Sequence, residues 1–308
     1  MSKEIEDKLE KIPVIRNLVR SGKKVKLPGF EGLSLYDLLE LYGIGIAKGA
    51  FSYRAGAIAF SFFMALFPFA LFILNLIPYI PLEGFQEDFL KFVAEGVPPN
   101  TYEAVASIIN DILNKSYKSL LSSGFILSIF LMANGVNAIL GGFQNSYHIT
   151  ITRGFFRQYA VALAMSILLS FILLITVAAI VIFEIFIRKL QSEGVLQDQV
   201  YLVEWGRYLF VIIMILVTTS VMFKYGAKET SKNSFISYGS VFTTILIIIS
   251  SYFFGIYVER FSKYNELYGS IGTLLVLMIY IWINCMILLL GFELNATIHR
   301  LKRKNLYI

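Results

Sequence analysis

The sequence of 308 residues has few of the side chains from which catalytic and metal sites are usually built. Its one cysteine, Cys285, excludes an intramolecular disulfide, and its two histidines, His148 and His299, lie far apart in the chain. HExxH, CxxC, Walker and GxSxG patterns do not occur. The residues therefore predict no metal site, no cofactor and no enzymatic activity, and they favour a transport or structural role.

Charge is also scarce. Asp, Glu, Lys and Arg make up 16% of the residues, against roughly 25% in ordinary soluble proteins. Hydrophobic residues make up 57%. A soluble chain with this composition could not cover its own surface, so the composition excludes an ordinary soluble enzyme and predicts an integral membrane protein. The net charge of +6 is then explained by its distribution around the membrane, and nucleic acid is not an expected partner.

Six stretches lack acidic and basic residues, and five of them can supply the ~20 apolar residues that a transmembrane helix needs. The fourth, residues 208–223, is shorter, and its helix is expected to extend back towards Val203. The strands of a membrane barrel would be alternating segments of roughly ten residues, which are much shorter. The predicted fold class is therefore an all-α, polytopic membrane protein with six transmembrane helices. The helices are expected within residues 56–77, 120–143, 158–183, 203–223, 233–258 and 267–292.

Two regions outside these spans show amphipathic patterns. In residues 1–54, helical spacing of apolar residues and a capping-box start at Ser34 and Asp37 predict short helices at the cytoplasmic interface. The loop at residues 82–118 is expected to form two further helices on the outer side. The transmembrane domain is assigned to residues 55–297, and residues 298–308 form a basic cytoplasmic tail.

Membrane lipids are the expected partners of the N-terminal region, where anionic headgroups would meet Lys23, Lys24 and Lys26. The orientation follows from the distribution of Lys and Arg. With six spans both termini share one side, and that side carries nineteen of the 27 basic residues. Both termini are therefore predicted in the cytoplasm. The first apolar run begins only after fifty-odd residues, which indicates that span one acts as an uncleaved targeting signal.

Polar residues at membrane depth are costly unless they have partners, and here they recur at helical spacing on spans one, two and six. They could line a polar cavity, or they could hold neighbouring helices together by hydrogen bonds. Both interpretations stay open, and Pro68 is also expected to kink span one. The candidate cavity-lining residues are Ser61, Pro68, Asn75, Asn134, Asn137, Asn145, Asn284 and Asn295.

Two ionisable residues lie at the cytoplasmic edge of the spans, Arg54 at the start of span one and Glu293 at the end of span six. Their similar depth predicts an ion pair, with either a structural role or a role as a gate. Glu184, at the outer end of span three, is expected to pair with Arg188 one turn later on the same helix.

Several segments resemble the YihY/BrkB family of bacterial membrane proteins. Residues 54–68 are similar to the family's first-helix signature, and residues 137–147 resemble the end of its second helix. Residues 268–273 and 291–296 resemble its last helix, although Phe292 stands where the family usually has a small residue. The resemblance implies a six-helix protein of the bacterial inner membrane. Members have been proposed as transporters, including of lipid-linked envelope precursors, and a ribonuclease label also accompanies the family.

The residues and the resemblance together favour a transporter or a lipid or envelope-precursor flippase of the bacterial inner membrane, acting on an unknown small-molecule or lipid substrate. A structural or scaffold role in the membrane is the main alternative. A membrane-tethered nuclease is disfavoured because the sequence shows no acidic metal cluster. The sequence does not determine the oligomeric state.

Overall fold

A computed structural model describes residues 34–48, 50–76, 120–146, 153–192, 200–226, 234–261 and 270–305. Within these ranges the regular structure is helical, which confirms the all-α class. The helices are α1 (Leu35–Lys48), α2 (Phe51–Leu76), α3 (Leu120–Gln144), α4 (Phe155–Ser192), α5 (Val200–Gly226), α6 (Tyr238–Phe261) and α7 (Ser270–Asn305).

Helices α2 to α7 occupy the positions of the six predicted spans. Four of them contain stretches that are long and apolar enough to cross a bilayer: Phe155–Ile187, Trp205–Gly226, Tyr238–Val258 and Leu274–Arg300. Helix α3 contains a shorter apolar stretch, Ile129–Gln144. An all-α polytopic membrane protein is therefore confirmed. Helices α4 and α7 extend well beyond the predicted spans. The predicted spans end at the first charged residues, but a helix can continue through Lys and Arg because both are good helix formers.

The six long helices form a closed ring. Each of α2 to α6 packs against the next helix in the chain, and α7 packs back against α2. The α2–α3 pair makes the most extensive of these contacts, and the short helix α1 packs on α7. The ring brings the start of α2, the end of α3 and the end of α7 to one end of the bundle, which we call the junction end.

The core at the junction end contains three fully buried phenylalanines from alternate helices. Phe143 of α3 and Phe292 of α7 stack with ring centroids 4.1 Å apart, and Phe223 of α5 packs edge-on against both. Phe292, the residue that departs from the family pattern, therefore fills the centre of the ring. Gly226 leaves space for the Phe143 ring that stacks on Phe292, because a Cβ at position 226 would lie 2.7 Å from the Phe143 ring.

Helix α1 begins with the predicted capping box. The Ser34 backbone N–H donates to Asp37 Oδ2 at 3.0 Å, and the Asp37 N–H donates to Ser34 Oγ at 3.2 Å. Ala50, between α1 and α2, has a φ of 45°, in the left-handed region that favours glycine. The sharp turn lays α1 beside the bundle. The other predicted interfacial helices, in residues 1–33 and 82–118, lie outside the described residues.

Candidate functional site

A buried cluster of polar groups, the polar junction, joins α2, α3 and α7. Arg54 donates from Nε and Nη2 to the carbonyl oxygen of Gly142, at 3.0 and 2.6 Å. Its Nη1 lies 3.9 Å from Glu293 Oε2, and Ser146 Oγ donates to the same carboxylate oxygen at 2.8 Å. The structure thus brings together the two residues that the sequence singled out as an ion pair, and adds a backbone carbonyl and a serine.

The position of Arg54 follows from the ends of the helices. Gly142 lies in the last turn of α3, where carbonyl groups have no partner within the helix and the helix dipole is negative. A guanidinium can satisfy such a carbonyl and pair with a carboxylate at the same time. The side chains of Arg54 and Glu293 are 5% and 0% exposed, so water compensates neither charge and each contributes to the compensation of the other.

Helix α1 covers the α7 side of the polar junction. The Tyr42 hydroxyl donates to the carbonyl oxygen of Leu290 at 3.1 Å, three residues before Glu293. Burial raises the pKa of the Tyr42 hydroxyl above its ordinary value, and the negative charge of Glu293 raises it further. The hydroxyl therefore keeps its proton at physiological pH and remains a donor, which ties the short helix to α7.

A second arginine caps a helix in the same way, and the sequence gave no indication of it. Arg153, just before α4, donates from Nη1 to the carbonyl of Gly226 at 2.6 Å and from Nη2 to that of Tyr225 at 2.8 Å. These carbonyls end α5. In the sequence Arg153 is simply one of the basic residues between spans two and three, whereas in the structure it fastens the start of α4 to the end of α5.

An apolar cavity of about 310 Å³ lies between α2, α3, α4 and α5. Its wall is built from aliphatic and small side chains, three methionines and one phenylalanine, with Ser166 and Thr218 as the polar residues in it. The lining residues are Phe62, Ala65, Met132, Gly135, Val136, Ile139, Ser166, Leu169, Leu173, Met214, Thr218 and Met222. Ser166 Oγ donates to the carbonyl of Leu163 at 2.9 Å, so its hydrogen-bonding capacity is used within α4.

The polar residues expected to line a cavity are not in the wall of this one. On α3, Asn137 Oδ1 accepts a hydrogen bond from Gln158 Nε2 of α4 at 2.9 Å, so the amide holds two helices together. Asn134 is half-buried beside it, and Asn145 is exposed beyond the end of α3. Asn137 thus makes the kind of contact that the helix-packing alternative predicted, and apolar residues on another face of α3 form the wall of this cavity.

Asn295 and Asn284 on α7 also form hydrogen bonds within the helix bundle. Asn295 is buried; its Oδ1 accepts from the Gly239 N–H at 2.8 Å and its Nδ2 donates to Ser237 Oγ at 2.7 Å, at the start of α6. Asn284 Nδ2 donates to the carbonyl of Tyr280 at 2.8 Å, one turn back on its own helix. Hydrogen bonds of this kind are what we expect if the polar residues hold helices together rather than line a cavity.

The remaining candidates are on α2. Ser61 is half-buried, and its carbonyl oxygen lies close to Gly135, where a Cβ would be 3.6 Å away. Helix α2 continues through Pro68 without a break. The side chains of Pro68 and Asn75 lie outside the described part of the structure, so the expected kink and their role stay predictions.

The structure shows a partner for Glu184 that the sequence did not suggest, and the expected pair with Arg188 stays a prediction. Glu184 Oε2 accepts a hydrogen bond from Arg207 Nη2 at 2.8 Å, which links α4 to α5. The side chain of Arg188 lies outside the described residues. Spacing along the sequence detects partners on the same helix and misses one that a neighbouring helix supplies.

The metal-binding residue types do not gather in the described ranges: no group of three or more His, Cys, Asp and Glu side chains there could hold a metal ion. Cys285 is buried in α7. His299 is half-buried near the end of α7, and His148 lies outside the described residues.

Comparison with known proteins identifies the family. The model of the family described as Virulence factor BrkB matches residues 46–306. The chain belongs to the BrkB family. The match includes Arg54, Glu293 and every residue lining the apolar cavity, and it confirms the resemblance that the sequence segments carried.

Several curated relatives share most of the chain. The ribonuclease-like protein YfkH of Bacillus subtilis (strain 168) is 30% identical over 252 residues, which cover 81% of this chain and 90% of that protein. A UPF0761 membrane protein of Coxiella burnetii (strain Dugway 5J108-111) is 21% identical over 251 residues, covering 80% and 87% of the two chains. No solved structure matches. The relatives support a membrane protein of the BrkB family.

Proposed function

We propose that this BrkB-family protein is a transporter of the bacterial inner membrane, and specifically a flippase for lipids or lipid-linked envelope precursors. The apolar cavity between α2, α3, α4 and α5 carries this proposal, since a purely structural bundle gains stability by filling such a space. The wall supplies almost no hydrogen-bonding groups, which favours a substrate with a hydrocarbon part over a sugar, an amino acid or an ion.

The polar junction is the gate in this proposal. It closes the bundle where α2, α3 and α7 meet. The buried side chains of Ile58 and Leu289 pack beside Gly142 there. A movement of the Arg54 guanidinium away from this place would break its contacts with Glu293 and with the Gly142 carbonyl together, so one side chain can loosen the contacts of α2 with both α3 and α7. A lipid headgroup could then pass the junction end of the ring.

The orientation belongs to the same proposal. Nineteen of the 27 basic residues fall on the side of the two termini, which places both termini and the junction end in the cytoplasm. We also propose that Lys23, Lys24 and Lys26 bind anionic headgroups there. These three lysines lie outside the described residues, so the proposal rests on the sequence.

The test of the function is a lipid-flipping assay in reconstituted vesicles. Phospholipid or polyprenyl-phosphate probes carrying a nitrobenzoxadiazole (NBD) fluorophore are distributed in both leaflets, and dithionite quenches the outer leaflet. With the protein present, we expect the protected inner-leaflet fraction to decay faster than in protein-free vesicles. Equal decay for every probe, with the protein shown to be folded and inserted, would contradict the proposal.

A further inference from the structure

We propose that the apolar cavity binds the acyl chain of a membrane phospholipid, entering sideways from the bilayer. This names the substrate class of the proposed flippase and rests on that function for its physiological meaning. The inference is carried by three features of the cavity: its depth, its open edge and the chemistry of its wall.

The depth of the cavity places it within the hydrocarbon layer. Met222 lies four residues before the end of α5, roughly 6 Å along the helix axis at 1.5 Å per residue. Ser166 lies eleven residues after the start of α4, roughly 16 Å along its axis. The cavity is thus on the junction side of the bundle, at the level of the acyl chains of one leaflet rather than of the headgroups.

The edge of the cavity reaches the surface of the ring. The cavity is partly open rather than fully enclosed, and Phe62 in its wall is 41% exposed. In a membrane this surface is covered by lipid. An acyl chain can therefore pass from the bilayer to the cavity without crossing water.

The wall accommodates a flexible hydrocarbon chain. Met132, Met214 and Met222 are unbranched and polarizable, and such side chains adjust to ligands of irregular shape. Gly135 and Ala65 leave the α2–α3 side narrow, since a Cβ on Gly135 would lie 2.8 Å from Ala65 Cβ. A volume of about 310 Å³ is at the lower end of the range for ligand pockets, roughly 300–1,000 Å³. A slender acyl chain suits this space better than a methyl-branched polyprenyl chain.

The experiment uses photolabelling of the full-length chain in vesicles. The probe is a phosphatidylglycerol with a diazirine in the middle of one acyl chain, and labelled positions are read by peptide mass spectrometry. We expect labels on the cavity methionines in addition to lipid-facing residues such as Ile167 and Phe171. Labels confined to the lipid-facing residues would overturn the inference.

Two substitutions on α4 provide a matched pair. Ser166→Phe fills the cavity, and Ala164→Phe adds the same ring at an exposed position two residues earlier. We expect Ser166→Phe to reduce methionine labelling about tenfold, the change that a loss of about 1.4 kcal/mol in binding produces, and Ala164→Phe to leave it unchanged. Unchanged labelling in Ser166→Phe would overturn the inference. Thr218→Leu, on the opposite wall, gives the same test if Ser166→Phe does not fold.

Two further measurements distinguish an acyl chain from a polyprenyl chain and separate this inference from the proposed function. Stronger labelling of the methionines by a diazirine polyprenyl phosphate than by the phospholipid probe would overturn the assignment to an acyl chain. Cavity labelling that Ser166→Phe removes, in vesicles where the wild-type protein flips no lipid, would support the acyl-chain site while contradicting the flippase.

Discussion

Arg54 shows how one side chain can fix three helices. Its guanidinium binds a carbonyl at the end of α3 and lies beside a carboxylate of α7, while its own backbone starts α2. The pair with Glu293 was predictable because both residues are charged and lie at the same depth. The bond to Gly142 was not, because a backbone carbonyl is present at every residue and leaves no mark in the sequence.

The ion pair gives the first prediction. Glu293→Gln and Arg54→Gln should each lower the free energy of unfolding by about 3–5 kcal/mol, because each leaves a buried charge without its opposite. The double substitution should cost less than the sum of the two. The measurement is chemical denaturation of the purified protein in detergent micelles. Strictly additive losses would show that the two side chains do not interact, and Glu293 would then need another partner.

At the scale of the helices, the α6–α7 contact is close packing of backbone against backbone. A Cβ on Gly239 would collide with the carbonyl oxygen of Gly291, and a Cβ on Gly291 would collide with Thr243 Oγ1. Asn295 and Ser237 add hydrogen bonds at the same place. Small residues allow this approach in membranes, where the hydrophobic effect does not drive helices together.

The second prediction compares two glycines of α6. Gly239→Ala should destabilise the protein by about 1–3 kcal/mol, because the backbones must separate to admit a methyl group. Gly255→Ala should leave stability unchanged or raise it, because nothing lies within 4 Å of its Cβ position and alanine favours the helix. Thermal unfolding in detergent measures both. Equal melting temperatures for the two variants would contradict the close α6–α7 packing.

The helices themselves could be predicted because long apolar runs are rare and have one stable solution in a bilayer. Which helices pack against each other could not be predicted. Arg207 of α5 binds Glu184, and the sequence did not suggest this contact, because the order and rotation of the helices in the ring cannot be read from a single sequence. The cavity was also missed, because residues such as Met132 and Leu169 look the same in sequence whether they fill a core or line a space.

At the scale of the whole molecule, the ring of α2 to α7 gathers its buried charge at one end and its apolar cavity near the same end. The fold explains this asymmetry. Arg54, in the first turn of α2, and Arg153, just before α4, bind the carbonyl groups that end α3 and α5 at this end of the bundle. The proposed orientation places this end at the cytoplasm, as the positive-inside rule requires.

The third prediction tests that orientation by cysteine labelling. The native Cys285 is buried and is replaced by serine to give a background without thiols. A membrane-impermeant maleimide added to intact cells should label a cysteine placed within residues 82–118 and should miss one placed within residues 228–234. Permeabilised cells, in which both positions should react, provide the control. The reverse pattern in intact cells would contradict the orientation.

The most direct test of the central claim, that lipid moves by way of the apolar cavity, is the flipping rate of matched variants in the same vesicle preparation. Wild-type protein, Ser166→Phe and Ala164→Phe are reconstituted at equal density, and the dithionite-protected fraction of a fluorescent phosphatidylglycerol is followed. The account predicts flipping by the wild type and by Ala164→Phe, and flipping slowed about tenfold or more by Ser166→Phe, equivalent to at least 1.4 kcal/mol in the barrier. Equal rates for folded Ser166→Phe and wild type would contradict it.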